Sequence, residues 1–354
     1  MKKLPRLGAL LVFLAFSICA AYGQEEQWLE YRMFREPHKS GVVVAPKEVA
    51  FTASAPAGVS CPDSLTGEVR FARWETPMAS GGVHMAVFKS KNSRVFDNIY
   101  VDSNCDGSLA DEKPVEAYSS SANRAMFGPL KIVFQGADGP VAHHLNIVSY
   151  EYPGYKKILV ASACWYEGEV TVRGEKFTCR LVDYNSNGTF DDTAMNFGDL
   201  DQIWLKGEAA SDFERHFVGK YIQIGGAFYH PTPARDGAFV AFEPAKDATF
   251  GRVLVPQSVA NLELGGANGF LALQIVDGAA TVPAGKWKVV EWVSKTKDPQ
   301  GAEWVMKGSQ FPDDSVFEVV EGRDAGLDIG PPVSAGVDAG KNGSSYDFAE
   351  ALKG

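Results

Sequence analysis

The sequence is that of a mainly β protein, with a duplicated N-terminal β region followed by one or more small β-sandwich modules. Three observations carry this. Short runs rich in Val, Ile, Phe, Tyr and Trp are bounded by Gly, Pro, Asn or Asp, the punctuation of strands and turns. Helical periodicity is scarce. The chain also matches itself when slid by 81 residues. With 354 residues, 45% hydrophobic and 22% charged, it can bury more than one core and is no disordered or collagen-like polymer.

Residues 1–23 read as a cleaved export signal, with Lys2, Lys3 and Arg6 ahead of an apolar run from Leu7 to Ala21 and then Ala21-Tyr22-Gly23. That run is shorter than the roughly 20 residues a bilayer span needs, and no later stretch comes closer, so no transmembrane span is expected in the mature chain. Phe16, Ser17 and Ile18 lack the small residue that a lipid-attachment site has just before its cysteine, here Cys19. Export to the periplasm, cell surface or medium follows. Removing the signal takes away three cations and no acids, which leaves 31 Lys plus Arg against 44 Asp plus Glu. So acidic a protein is not expected to bind nucleic acid.

Strands are expected at Lys131 to Phe134, Lys157 to Ala161, Glu169 to Val172, Tyr221 to Ile224, Ala238 to Phe242, Lys286 to Val293 and Val316 to Val320. Two short helices are expected, at Ser211 to Phe217 behind a Ser cap and at Tyr346 to Lys353. The duplicated region spans 24–206. A Gly-rich stretch, Gly207 to Gly219, leads into a second strand-rich region over 207–330, and the Gly, Ala, Ser and Pro composition of 331–354 reads as a flexible tail.

In the repeat, Phe96, Val101, Asp102, Asn104, Asp106, Gly107, Leu109 and Asp111 fall on Phe177, Val182, Asp183, Asn185, Asn187, Gly188, Phe190 and Asp192. Each copy ends in an oxygen-rich loop. Side-chain oxygens at positions 1, 3 and 5 converge when the backbone coils tightly, and Gly at position 6 permits the closing turn. Position 7, Ser108 or Thr189, offers a backbone carbonyl. Late acids, Asp111 and Glu112 in the first loop and Asp191 and Asp192 in the second, complete the candidate ligands. A hard cation that takes six to eight oxygens suits such a loop, so structural Ca²⁺ is expected, with an affinity on the order of 10⁻⁴ to 10⁻³ M. The competing reading is an Asx-rich turn that binds nothing.

Over positions 1 to 8 these loops resemble the calcium loops of EF-hand and dockerin proteins. They depart from them at position 12, where Lys113 and Ala194 replace the closing Glu. Because strands rather than a helix enter them, they look more like the strand-loop-strand calcium sites of bacterial β proteins. The run Val282-Pro283-Ala284-Gly285-Lys286-Trp287 resembles the turn before a strand in prealbumin-like or immunoglobulin-like modules. Taken whole, the chain resembles uncharacterised secreted bacterial multi-module β proteins.

Four cysteines in an exported chain suggest two disulfides among three connectivities. Cys164 and Cys179 flank a hairpin with its turn at Arg173-Gly174-Glu175, which favours Cys164 to Cys179 with Cys61 to Cys105 as complement; two buried free thiols are the alternative. His143 and His144 read as a surface pair pointing to opposite faces, and His230 as part of a turn. Trp287 and Trp292, five apart, should lie on opposite faces of a strand, so at most one belongs to a sugar platform with Trp304. Asp313 and Asp314 are acids without any visible catalytic spacing. No nucleophile and base set is recognisable. The function expected is a non-catalytic, calcium-stabilised binding or scaffold protein whose partner is a surface polysaccharide or another exported protein. A secreted polysaccharide hydrolase and a calcium-dependent interaction switch are the competing classes.

Overall fold

The computed structural model describes residues 25–353, except 195, 196, 298, 310–314, 331–333 and 344. The signal segment and Asp313 and Asp314 lie outside the described residues. The fold is mainly β, built from several sheets that are antiparallel apart from one short parallel pairing, Phe250–Leu254 with Asp324–Gly326. Each run expected to be a strand falls within or across one.

The first core lies between two sheets. One contains Val69–Thr76, Ala79–Phe88, Asn98–Val101 and Val115–Glu116; the other is centred on Arg124–Gly136, Gly139–Tyr152 and Tyr155–Ser162. Alternate residues turn inward, so Trp74, Met85 and Ile99 of the first meet Phe127, Phe134 and Ile147 of the second.

A second core joins the sheet of Glu30–Met33, Cys164–Val172, Glu175–Val182, Gln202–Gly207 and Glu214–Phe217 to the sheet of Gln27–Trp28, Ile222–Ile224, Ala227–Pro233 and Phe239–Pro244. The stretch Gly207 to Gly219 does not separate two regions at its start: residues 208–213 connect Gln202–Gly207 to Glu214–Phe217, neighbouring strands of one sheet. A third core, around Val253, Leu264, Trp287 and Trp292, is enclosed by Val259–Gly266, Gly269–Gln274 and Gly285–Lys297 on one side and Phe250–Leu254 and Ala279–Pro283 on the other.

Three expectations fail, each because strand pairing and its register outweigh local preference. Ser211 to Phe217 is not a helix: Glu214–Phe217 pairs antiparallel with Gln202–Gly207. Nor is Tyr346 to Lys353, where Ser345–Lys353 pairs with Ser334–Asn342 and sets Tyr346 and Phe348, two apart, side by side with ring centroids 6.5 Å apart. Trp287 and Trp292 share one core instead of opposite faces, because a β-bulge shifts the register between them by one residue. Gly308 pairs with Trp292, and a Cβ there would come within 2.3 Å of the indole.

The disulfides are also corrected: Cys61, Cys105, Cys164 and Cys179 are all free. The Arg173-Gly174 turn does form, with left-handed φ of 55° and 80° as a tight hairpin requires. It sets Val172 opposite Glu175 and therefore Gly168, not Cys164, opposite Cys179. Four residues along a strand is about 13 Å, beyond the roughly 7 Å Cα separation a disulfide can span. Cys61 packs with Phe71, Ala86 and Tyr100 on one face of the first sheet, while Cys105 packs with the core on its other face. Burial pushes the thiols up, Cys164 to about 11 and Cys105 to about 12.

Among the described residues no helix is long and apolar enough to cross a membrane. The free thiols are checked by alkylation without reductant. All four should label in denaturant, and Cys164 and Cys179 should resist labelling in the native protein. Protection that persists in denaturant until reductant is added would mean a disulfide.

Candidate functional site

Both oxygen-rich loops connect antiparallel neighbours, the first following Asn98–Val101 and the second following Glu175–Val182. In the first, the N–H groups of Asp106 and Gly107 donate to the two carboxylate oxygens of Asp102 at 3.1 and 3.0 Å. The Asn104 carboxamide oxygen accepts the Asp106 N–H, and the Asp106 carboxylate accepts the Ser108 N–H. The Asn104 amide donates to Asp106 and, at 3.2 Å, to Asp111.

The second loop repeats these bonds with one exception: the Asn185 amide donates to the Asp199 carbonyl where that of Asn104 donates to position 5. Asn187 and Gly188 N–H groups donate to Asp183 at 3.0 and 2.9 Å, Asn185 Oδ1 accepts the Asn187 N–H, and Asn187 Oδ1 accepts the Thr189 N–H. Asn185 Nδ2, Asn187 Nδ2 and Thr189 Oγ1 all converge on Asp192 Oδ2, at 3.2, 2.7 and 2.5 Å. Backbone geometry agrees as well. Position 4, Cys105 or Ser186, has φ of 58° or 55°, and position 6, Gly107 or Gly188, has φ of 83° or 94°, a conformation in which glycine carries little steric penalty.

Of the residues singled out from sequence, the structure thus brings together Asp102, Asn104, Asp106 and Asp111 in one loop and Asp183, Asn185, Asn187, Thr189 and Asp192 in the other. Three stand apart. Ser108 Oγ accepts the Ala110 N–H. Glu112 accepts the N–H and hydroxyl of Ser103. Asp191 is half-buried, and burial raises its pKa against the opposing charge of Arg235.

Sequence reading missed Asp201. It accepts the N–H groups of Tyr184 and Asp192 at 3.1 and 2.9 Å, so it performs for position 2 of the second loop what Glu112 performs in the first. Under the 81-residue offset Glu112 falls on Thr193, about eight residues short of Asp201, so periodicity could not reveal the equivalence.

The two loops agree in burial at position 1, where Asp102 and Asp183 are both 0% exposed, and differ beyond it: Asn104 and Asp106 are exposed, whereas Asn185, Ser186 and Thr189 are buried, as is Asp201. Leu109 and Phe190, at position 8, both anchor in cores. Burial raises the pKa of Asp183, and it raises that of Asp201 strongly, with the charges of Asp183 and Asp192 adding to the effect.

His143 corrects another expectation. It is no surface residue but 2% exposed, enclosed by Trp74, Phe134 and Phe190, with Nε2 3.5 Å from Asp183 Oδ2. His144, on the opposite face, is half-buried and bonded to the Tyr31 hydroxyl at 2.6 Å. Cys164 Sγ lies 3.4 Å from His143 Nδ1, which lines up thiol, imidazole and carboxylate. Burial holds that thiol protonated and lowers the imidazole pKa, and Cys164 is 0% exposed, so the trio is a packed polar core and not an activated nucleophile.

Among the described residues no group of three or more His, Cys, Asp and Glu side chains is arranged to hold a metal ion. A cation in either loop would therefore draw on Asn and Thr oxygens and backbone carbonyls besides the carboxylates, a donor set that suits calcium and not zinc. No family model, curated protein or solved structure matches the chain. Its family stays unassigned.

The buried carboxylates give a pH dependence of definite sign. A carboxyl whose folded pKa is raised stabilises the fold below its ordinary pKa of about 4, and that contribution is lost as pH rises through the folded value. In chelator, melting temperature should therefore fall less steeply between about pH 4 and 7 for Asp201→Asn than for wild type. Parallel profiles would show that Asp201 is not proton-linked.

Proposed function

We propose that this is an exported, calcium-stabilised, non-catalytic binding or scaffold protein in which the two loops are structural clamps. The observation that carries the reading is the gathering of Asp183, Asp192 and Asp201 with so little to balance them. The basic side chain beside Asp183 is His143, which burial keeps neutral. Such a cluster either holds protons or takes a cation, because uncompensated buried charge costs several kcal/mol per group.

The matching bonds and φ angles of the two loops support a common origin by duplication. They also support a common ligand chemistry. Strands, not helices, flank both, so a bound ion would lock extended segments rather than open a helix pair, and a calcium switch is the weaker reading. The proposal of export rests on residues 1–23, whose basic, apolar and small-residue order is that of a signal.

The test is a melt of the purified protein in about 10 mM calcium and in chelator. With occupancy near 100 times the dissociation constant, one site adds about 2.7 kcal/mol, which is on the order of 5 °C in a protein of this size. Asp183→Ala should lower the melting temperature more than Asp102→Ala: both carboxylates are buried, but Asn185, Ser186 and Thr189 around Asp183 are buried as well, whereas Asn104 and Asp106 are exposed. A melting temperature unmoved by calcium in wild type and in Asp102→Ala would remove the proposal.

A further inference from the structure

We propose that the cavity between the edge strand Glu214–Phe217 and the sheet face carried by Val259–Gly266 is a binding site for a neutral saccharide. It deepens the reading as a binding protein and rests on it, though not on metal occupancy. The cavity measures about 740 Å³, within the range of roughly 300–1,000 Å³ that small-ligand sites occupy.

One wall presents aromatic rings. Trp204, Phe213 and Tyr184 line it, with the Trp204 and Phe213 centroids 6.3 Å apart, and the Arg180 guanidinium covers the Phe213 ring at 4.2 Å. The facing wall presents Glu263 and Glu291, which are direct cross-strand partners. Each carboxylate gives one oxygen to a cation, Glu263 to Arg215 at 3.2 Å and Glu291 to Lys307 at 2.6 Å. The bases are thus matched by acids, so nothing here favours a phosphate or another anion. Each remaining carboxylate oxygen can accept a hydroxyl.

A further group points to a ligand. Gln202, 1% exposed, lines the same cavity, and its Oε1 accepts the Trp204 indole N–H at 2.8 Å. Among the described residues its Nε2 has no hydrogen-bond partner. A buried donor left unmet destabilises the fold. Ring faces, paired carboxylates and one unmet amide donor match a molecule whose C–H faces alternate with hydroxyls that both give and accept.

The segment that builds the wall is also held by the second loop. Tyr184 is the loop's second residue, and Asp201, which fixes the Tyr184 N–H, immediately precedes Gln202. Ordering of that loop and shape of the cavity are therefore coupled through one short stretch.

Calorimetric titration with cellohexaose, xylohexaose, mannohexaose, maltohexaose, laminarihexaose and chitohexaose, each to about 10 mM, tests the site in calcium and in chelator. At least one should bind saturably. Trp204→Ala and Gln202→Ala should each weaken it about tenfold or more, while Trp204→Phe, which keeps a ring, should retain most of the affinity. Failure of all six to bind, or binding that Trp204→Ala leaves unchanged in a folded protein, overturns the proposal. Lack of binding with calcium-dependent melting intact sinks the saccharide site alone; binding with calcium-independent melting sinks the clamp alone. Shortening of the oligosaccharide that Glu263→Gln abolishes would support the site and overturn the non-catalytic reading.

Discussion

The carboxylate of Asp183 is the point on which the arrangement depends. It holds two backbone N–H groups of its own loop, and it does so at the seam between two cores. On one side stand Trp74, whose indole N–H donates to the Ser186 carbonyl at 2.9 Å, and Ser162, whose N–H donates to the Ser186 hydroxyl. On the other, Phe190 is packed into the second core, and its N–H donates to the Arg235 carbonyl. A Cβ on Gly188 would press on Thr76 and Trp74 at 3.0 and 3.1 Å, so the turn must be made by glycine for steric reasons as well as for φ. The loop is a plug between sheets, and its coil has to be complete for both cores to meet.

The same coil at the surface has a different consequence. In the first copy Asp102 holds the same two amide groups, yet Asn104 and Asp106 face water. Solvent can satisfy whatever that loop leaves unmet, so its influence stays local. Two sequences of nearly identical chemistry thus acquire unequal weight. The difference is the greater burial of positions 3 to 7, because Asp102 and Asp183 at position 1 are both 0% exposed.

Much of the architecture was legible in the residues. Strands announced themselves because a half-buried strand imposes a period of two and turns demand Gly, Asn or Asp, as at Arg173-Gly174. The loops were legible for a related reason: a coil closing on itself restricts positions 1, 3, 5 and 6 whatever surrounds it. Where the reading failed, the missing information was register or contact. Cys164 and Cys179 sit in a correctly anticipated hairpin but four residues out of step, and one bulged residue turns Trp292 to the side of Trp287. His143 looks like any surface histidine until Asp183, Cys164 and three aromatic rings are seen around it.

By itself, then, the sequence determined the mainly β class of fold and the local coil of each loop, because these follow from interactions between residues a few positions apart. Tertiary structure alone decided that the second coil is buried through its middle positions while Asn104 and Asp106 of the first are exposed, that Asp201 closes the second, that four thiols stay apart, and that Trp204, Gln202, Glu263 and Glu291 line one cavity. Those outcomes depend on which strand pairs with which and in what register. Such pairings are settled by the burial of whole sheet faces, a property that no single segment carries.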